Sequence, residues 1–266
     1  MTWLNKFLQK MFAIREQSDG DVVKPFLEHL EDLRLVIFKM LATWVASTIL
    51  AYSFHAKIML LMRAPLDKAA PGIELISTAL AGTFMISLKM SLYAGLVISF
   101  PLQLYFLAGF VLPALTRKEK KLILPGVLAG FVLFGTGVVI SYQYILPKTI
   151  HFFVQYAEDG GVKNRLDVSL YYSFVANLCI ACGLLCELPV VIIGLAAINL
   201  VSFKLLSSTR AYAVTAILIL VAIIAPSPDP FTFIVMGLPV LGIYEMCIWI
   251  VWMMERRREK AEKEAR

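Results

Sequence analysis

Apolar residues fall along this chain in long unbroken runs, not in the alternating or narrow-stripe patterns of soluble strands and helices. Four runs, at 35–54, 85–112, 122–146 and 170–195, reach the roughly 20 residues needed to cross about 30 Å of hydrocarbon. A further apolar block is interrupted by Pro226-Ser227-Pro228-Asp229-Pro230, which divides it into 211–225 and 231–253. Backbone polar groups in lipid must be bonded within their own segment, so these runs are expected to be helices. The 211–225 run would be only about 22 Å long at 1.5 Å per residue, short for a full bilayer. The pattern predicts an all-α membrane protein with six transmembrane helices.

Composition agrees with that class. Of 266 residues 59% are apolar and 17% charged, and the mean hydropathy is +0.77. A soluble fold of this size cannot bury so much apolar surface, which excludes a cytosolic enzyme or a disordered chain. Four cysteines, most of them inside apolar runs, make no disulfide framework. The net charge of +6 raises the question of nucleic acid. With both termini on the inner side, however, seventeen Lys and Arg fall inside and six outside, while Lys39 and Lys89 lie within spans, near their ends. That split follows the positive-inside rule, so the basicity reads as N-in, C-in topology and needs no nucleic-acid partner.

Three regions follow. Residues 1–23 carry Trp3, Leu4, Phe7, Leu8, Met11 and Phe12 at helical spacing among cations, as an interfacial helix on the inner membrane surface would. Residues 24–253 form the six-span domain, and residues 254–266 a charged cytoplasmic tail. No phosphate-binding loop, H-E-x-x-H zinc motif or G-x-S-x-G nucleophile elbow occurs. Cys179, Cys182 and Cys186 share one face of an apolar helix, where small soft residues pack, and no metal site or cofactor is expected.

Two carboxylates lie within the runs, Glu187 in the fourth and Glu245 in the sixth. Each costs about 2.5–3.5 kcal/mol at a helix centre on insertion scales. Counting from the starts of their helices places both in the inner half of the bilayer. Either they line a polar cavity open to the cytoplasm, or each is a protonated carboxyl bonded to a neighbouring helix. Pro101, Pro189 and Pro239 remove backbone bonds to Val97, Leu185 and Val235, so a kinked, concave bundle is expected. A proton-coupled small-solute transporter using Glu187 and Glu245 is the alternative function. It predicts inverted repeats, and the halves do not match.

The inner face carries acids among its cations. Glu28, Glu31 and Asp32 open the first helix after Pro25, where they complement the helix dipole. Thr116-x-x-Glu119 before the third run reads as a capping box, and Asp229-Pro230 as an N-cap and first-position pair for the sixth helix.

These same segments carry a resemblance. His29-Leu-x-Asp32-Leu-Arg34 entering span one, and Phe110-x-x-Pro113 with Glu119 before span three, resemble the TatC family, the multispanning receptor subunit of the twin-arginine protein translocase. Tyr142 and Pro147 ending span three, Phe174 with Glu187-x-Pro189, Pro226 with Asp229 in the outer turn, and Pro239 with Tyr244-Glu245 fit the same pattern. The resemblance implies binding of signal peptides of folded precursors at the cytoplasmic face, with Asp32 and Glu119 meeting the consecutive arginines and Glu31 and Phe110 beside them. The family's usual Glu is Asp32 here, one methylene shorter. It also implies TatA- and TatB-like single-span partners in an oligomeric complex, transport driven by the proton gradient without a cofactor, and a bacterial inner-membrane location. Ala225 and Phe233 stand where the family carries Thr and Gln at the outer edge.

Overall fold

The computed structural model describes residues 26–111, 120–161, 165–198, 200–225 and 229–264. The N-terminal amphipathic segment lies outside them. The apolar runs are helices: α1 (Phe26–Tyr52), α3 (Gly82–Val111), α4 (Lys120–Ile140), α6 (Val168–Leu185) with α7 (Leu188–Ala197), α9 (Arg210–Ile224) and α10 (Pro230–Glu264). Among the described residues five stretches are long and apolar enough to cross a membrane: Leu30–Tyr52, Gly82–Phe110, Ile123–Asp159, Val168–Ala197 and Pro230–Lys260. The expected short run is the 15-residue α9. Ile49, Leu60, Val132, Ile223 and Leu238 are each more than half exposed, an outward apolar surface that bilayer contact explains.

Contacts define the helix directions. At one end of the pair, Lys89 of α3 donates to Ser173 Oγ of α6. About fifteen residues further along both helices, Leu104 and Glu187 approach the same Gly130 of α4. α3 and α6 therefore run the same way. On α4, Gly130 faces Glu187 while Gly137 faces Cys182 and Gly183, so α4 runs against them. Small residues let these backbones close: a Cβ on Gly137 would stand 2.7 Å from the Cys182 carbonyl, and one on Gly183 2.8 Å from the Phe134 ring. α1 packs along α3, with Thr48 against Gly95 and Trp44 Nε1 donating to Leu92 O at 3.0 Å.

The rim where α3 begins is capped by elements that the hydropathy pattern did not single out. α2 (His55–Ala69) lies between α1 and α3, and Gly72, with φ of +94°, turns the chain from it into β1 (Leu75–Ile76). β1 pairs in parallel with β2 (Leu166–Asp167), in the register Leu75 to Leu166 and Ile76 to Asp167. Pro65 inside α2 has no N–H to offer the Leu61 carbonyl, and Tyr142 supplies the missing donor through its hydroxyl at 2.6 Å. Tyr171 and Tyr172 of α6 donate to Met62 O and Met59 O, which fixes α2 across the ends of α4 and α6.

One expected boundary is corrected. Pro147 does not end the helix of the third span. After α4 the chain takes a single π-helical turn, Ser141–Ile145, and continues as α5 (Leu146–Asp159) with Pro147 in its first turn. A proline is tolerated at the start of a helical segment, and the wider π turn before it absorbs the missing backbone bond.

Candidate functional site

The opposite rim holds the first candidate residues. α1 starts there and α3 ends there: from Thr48 against Gly95 the chain passes on to Met59, whose Sδ accepts from Ser87 Oγ at 3.3 Å, so it moves back toward the start of α3 as it advances. Asp32 is half-buried on α1, whereas Glu31 beside it is exposed. Consecutive helical positions point about 100° apart, so the two acids face different surroundings. Arg34 is exposed, its guanidinium 5.6 Å over the Phe38 ring one turn on. Phe110, near the end of α3, is half-buried on this rim. Glu119 and Pro113 lie outside the described residues, as does the expected Thr116 capping box. His29 belongs to α1, and its side chain is likewise outside the description.

Glu187 sits where the fourth run breaks. The chain turns at Cys186 and Glu187 between α6 and α7, with Pro189 at the second position of α7. Glu187 N–H donates to Leu184 O, three residues back, and Val191 N–H donates to Glu187 O. Its carboxyl rests over Gly130: a Cβ there would stand 2.9 Å from Oε2. Oε1 is buried and accepts no hydrogen bond among the described residues. One turn away, the rings of Phe100 and Phe134 stack at 3.6 Å and 16°, both buried. This stack lies along the junction just beyond the Glu187 carboxyl.

Glu245 has a different setting. Its Oε2 pairs with Arg210 at 3.1 Å, on the first residue of α9, and both side chains are about half exposed. Among the described residues no contact joins Glu245 to Glu187, so the structure does not assemble the paired relay of the alternative reading. Tyr244 donates its hydroxyl to Leu206 O in α8 (Phe203–Ser208). Cys179 and Cys182 are buried and free, packed as expected, and among the described residues no group of three potential ligands could hold a metal.

At the capped rim, Asp229 caps α10 as expected: Thr232 N–H donates to its Oδ1 at 2.6 Å, with Pro230 as the first helical residue. Pro226 is outside the described residues. Pro239 lies inside α10, and Phe174 lines an apolar cavity of about 570 Å³ beside β2. Asp167 caps α6, accepting from Ser169 and Leu170 N–H, and takes the Thr78 hydroxyl at 2.6 Å. That hydroxyl, joined by the backbone N–H groups, holds its carboxyl below the ordinary carboxylate range.

Sequence reasoning missed the far end of α10. Within residues 254–266, read as a charged tail, residues 254–264 continue the helix. Glu255 accepts from Phe203 N–H at 2.8 Å, and Arg258 donates to Ala197 O at 2.8 Å, satisfying the start of α8 and the end of α7. Charge alone gave no signal of this docking.

Helices of alternating direction, an acid-bearing rim and a carboxyl held at a helix break define a multi-pass helical membrane protein whose working groups are acids. The Sec-independent protein translocase protein (TatC) family profile matches residues 28–239. Similar proteins include a Sec-independent protein translocase protein TatC from Akkermansia muciniphila, 40% identical over 68% of this chain. The match spans about half of that relative, 52% of its length. A chloroplastic counterpart from Pisum sativum is 31% identical over 92% of this chain and 69% of its own. A crystal structure of the twin arginine translocase receptor TatC superposes with a TM-score of 0.75 at 30% identity, covering 85% of this chain and 98% of that one. The chain belongs to the TatC family, a component of a protein translocase and not an enzyme.

Proposed function

We propose that this protein is the receptor for twin-arginine signal peptides and the core of a translocase that exports folded proteins. The observation that carries the reading is the rim on which Asp32 of α1 and Phe110 of α3 both lie, at the end where α4 begins with Lys120. By sequence, Asp32 and Glu119 are carboxylates in segments otherwise rich in Lys and Arg, which suits them to consecutive arginines. Each guanidinium can fork onto a carboxylate, while surrounding cations repel the peptide from elsewhere. The peptide's apolar part then extends toward Glu187, past the start of α7.

The rim is cytoplasmic in this reading, which the seventeen-to-six cation split supports, and the membrane is the bacterial inner membrane with six crossings, the thin one at α9. Short α9 offers an edge for TatA- and TatB-like single-span subunits in an oligomeric complex. Transport needs no cofactor, because a membrane potential supplies about 2.3 kcal/mol per charge per 100 mV.

Binding of a twin-arginine precursor to membranes tests the recognition step. Asp32→Ala and Glu119→Ala are each expected to weaken it about tenfold or more, the scale of a lost charge-assisted pair. Unchanged binding in both variants would sink the reading.

A further inference from the structure

The junction of α3, α4 and α6 is layered, and its layers differ in kind. Nearest the capped rim, Lys89 donates to Ser173 Oγ at 3.0 Å and stands 6.0 Å from the Tyr93 ring. Among the described residues Lys89 has no carboxylate partner. It lies about 10 Å along α3 from Gly82, inside a stretch that spans the membrane. An ammonium at that depth is costly unless a counter-charge reaches it.

Directly beyond Tyr93 opens a crevice of about 360 Å³, lined by Tyr93, Val97, Ile98, Val138, Tyr142 and Ile180 among others. Its walls are almost wholly apolar. Ile98 and Val139 on its edge are each 51% exposed, so it opens sideways toward lipid. One turn further, the buried Phe100 and Phe134 stack interrupts the junction before Glu187 is reached. The crevice is thus closed toward Glu187, open to the bilayer, and headed by an unneutralised cation.

We propose that this crevice is a binding site for one anionic phospholipid, its phosphate on Lys89 and Ser173 and an acyl chain in the crevice. Charge complementarity selects the head, since the site supplies a cation and a hydroxyl. The closed end selects a chain over a peptide, because a peptide running on toward Glu187 would have to part the aromatic stack. Lys89 lies roughly 30 Å and the near end of the crevice, at Ile98, about 18 Å along α3 from Phe110, so the site stands or falls independently of signal-peptide recognition.

The test uses full-length protein in phosphatidylcholine vesicles carrying a trace of photoactivatable phosphatidylglycerol or phosphatidylcholine, with the reactive group on the acyl chain. Phosphatidylglycerol is expected to label residues 93–98 and 138–143 about fivefold more than phosphatidylcholine, the preference one cation confers near a membrane surface. Lys89→Gln should abolish that preference, Lys89→Arg should keep it, and Ala94→Trp, which fills the crevice, should remove labelling by both lipids. Equal labelling of the wild type by the two probes, or a preference that survives Lys89→Gln, would overturn the assignment. So would loss of the lipid label when a twin-arginine signal peptide is added, which would give the crevice to the peptide.

Discussion

Single atoms decide the fit at Gly137 and Gly135, two glycines half a turn apart on α4. A methyl at Gly137 meets the Cys182 carbonyl and Cys186 Sγ, both at 2.7 Å, whereas a methyl at Gly135 meets nothing within 4 Å. Gly137→Ala is therefore expected to destabilise the protein by about 1–3 kcal/mol, the range for overpacking a close contact. Gly135→Ala should be neutral or stabilising by less than about 1 kcal/mol. Thermal unfolding in detergent compares the two. Asp167 offers a second residue-scale expectation. Its carboxyl is held below its ordinary value, so its contribution is fully present above the unfolded-state value and is lost as pH falls through the lower folded one. Thr78→Val removes the largest cause. The stability gap between variant and wild type should be constant at neutral pH and close below about pH 4. A gap that widened in acid would contradict the assignment.

At the scale of elements, long apolar runs were legible because lipid leaves a helix as the only open solution. The Asp229-Pro230 start of α10 and the shortness of α9 were legible for equally local reasons. Tertiary bonds decided the rest. The Pro147 boundary failed because the π turn at Ser141–Ile145 carries the helix past the proline. α2 escaped notice because its stability comes from tyrosines more than eighty residues away, although Pro65 does mark a carbonyl in need of a donor. Tyr142→Phe should leave Leu61 O without that donor and cost about 1–3 kcal/mol. Pro65→Ala supplies a backbone N–H for the same carbonyl, so the double variant should recover part of the loss. Hydrogen exchange of α2 reads this directly, and additive losses would contradict the pairing.

Across the whole molecule, the candidate site was legible as residue types but not as an arrangement. Asp32 and Phe110 reach one rim only because α1 packs along α3, which no local pattern encodes. Glu187 and Glu245, equivalent on hydropathy grounds, part company in three dimensions: one rests over Gly130, the other pairs with Arg210. Polar groups are thus distributed by depth, with acids at one rim, the half-buried Glu187 beyond it, an aromatic stack, and then Lys89. Such a gradient suits a receptor that admits a basic peptide at one face.

The most direct measurement places a photocrosslinking amino acid at position 110 and offers membranes a precursor with either twin arginines or twin lysines in its signal peptide. The expected result is strong crosslinking to the twin-arginine form, weakened about tenfold by lysine, which cannot form the bidentate pair, and by Asp32→Ala. Equal crosslinking of both precursors, unaffected by loss of Asp32, would contradict recognition at this rim.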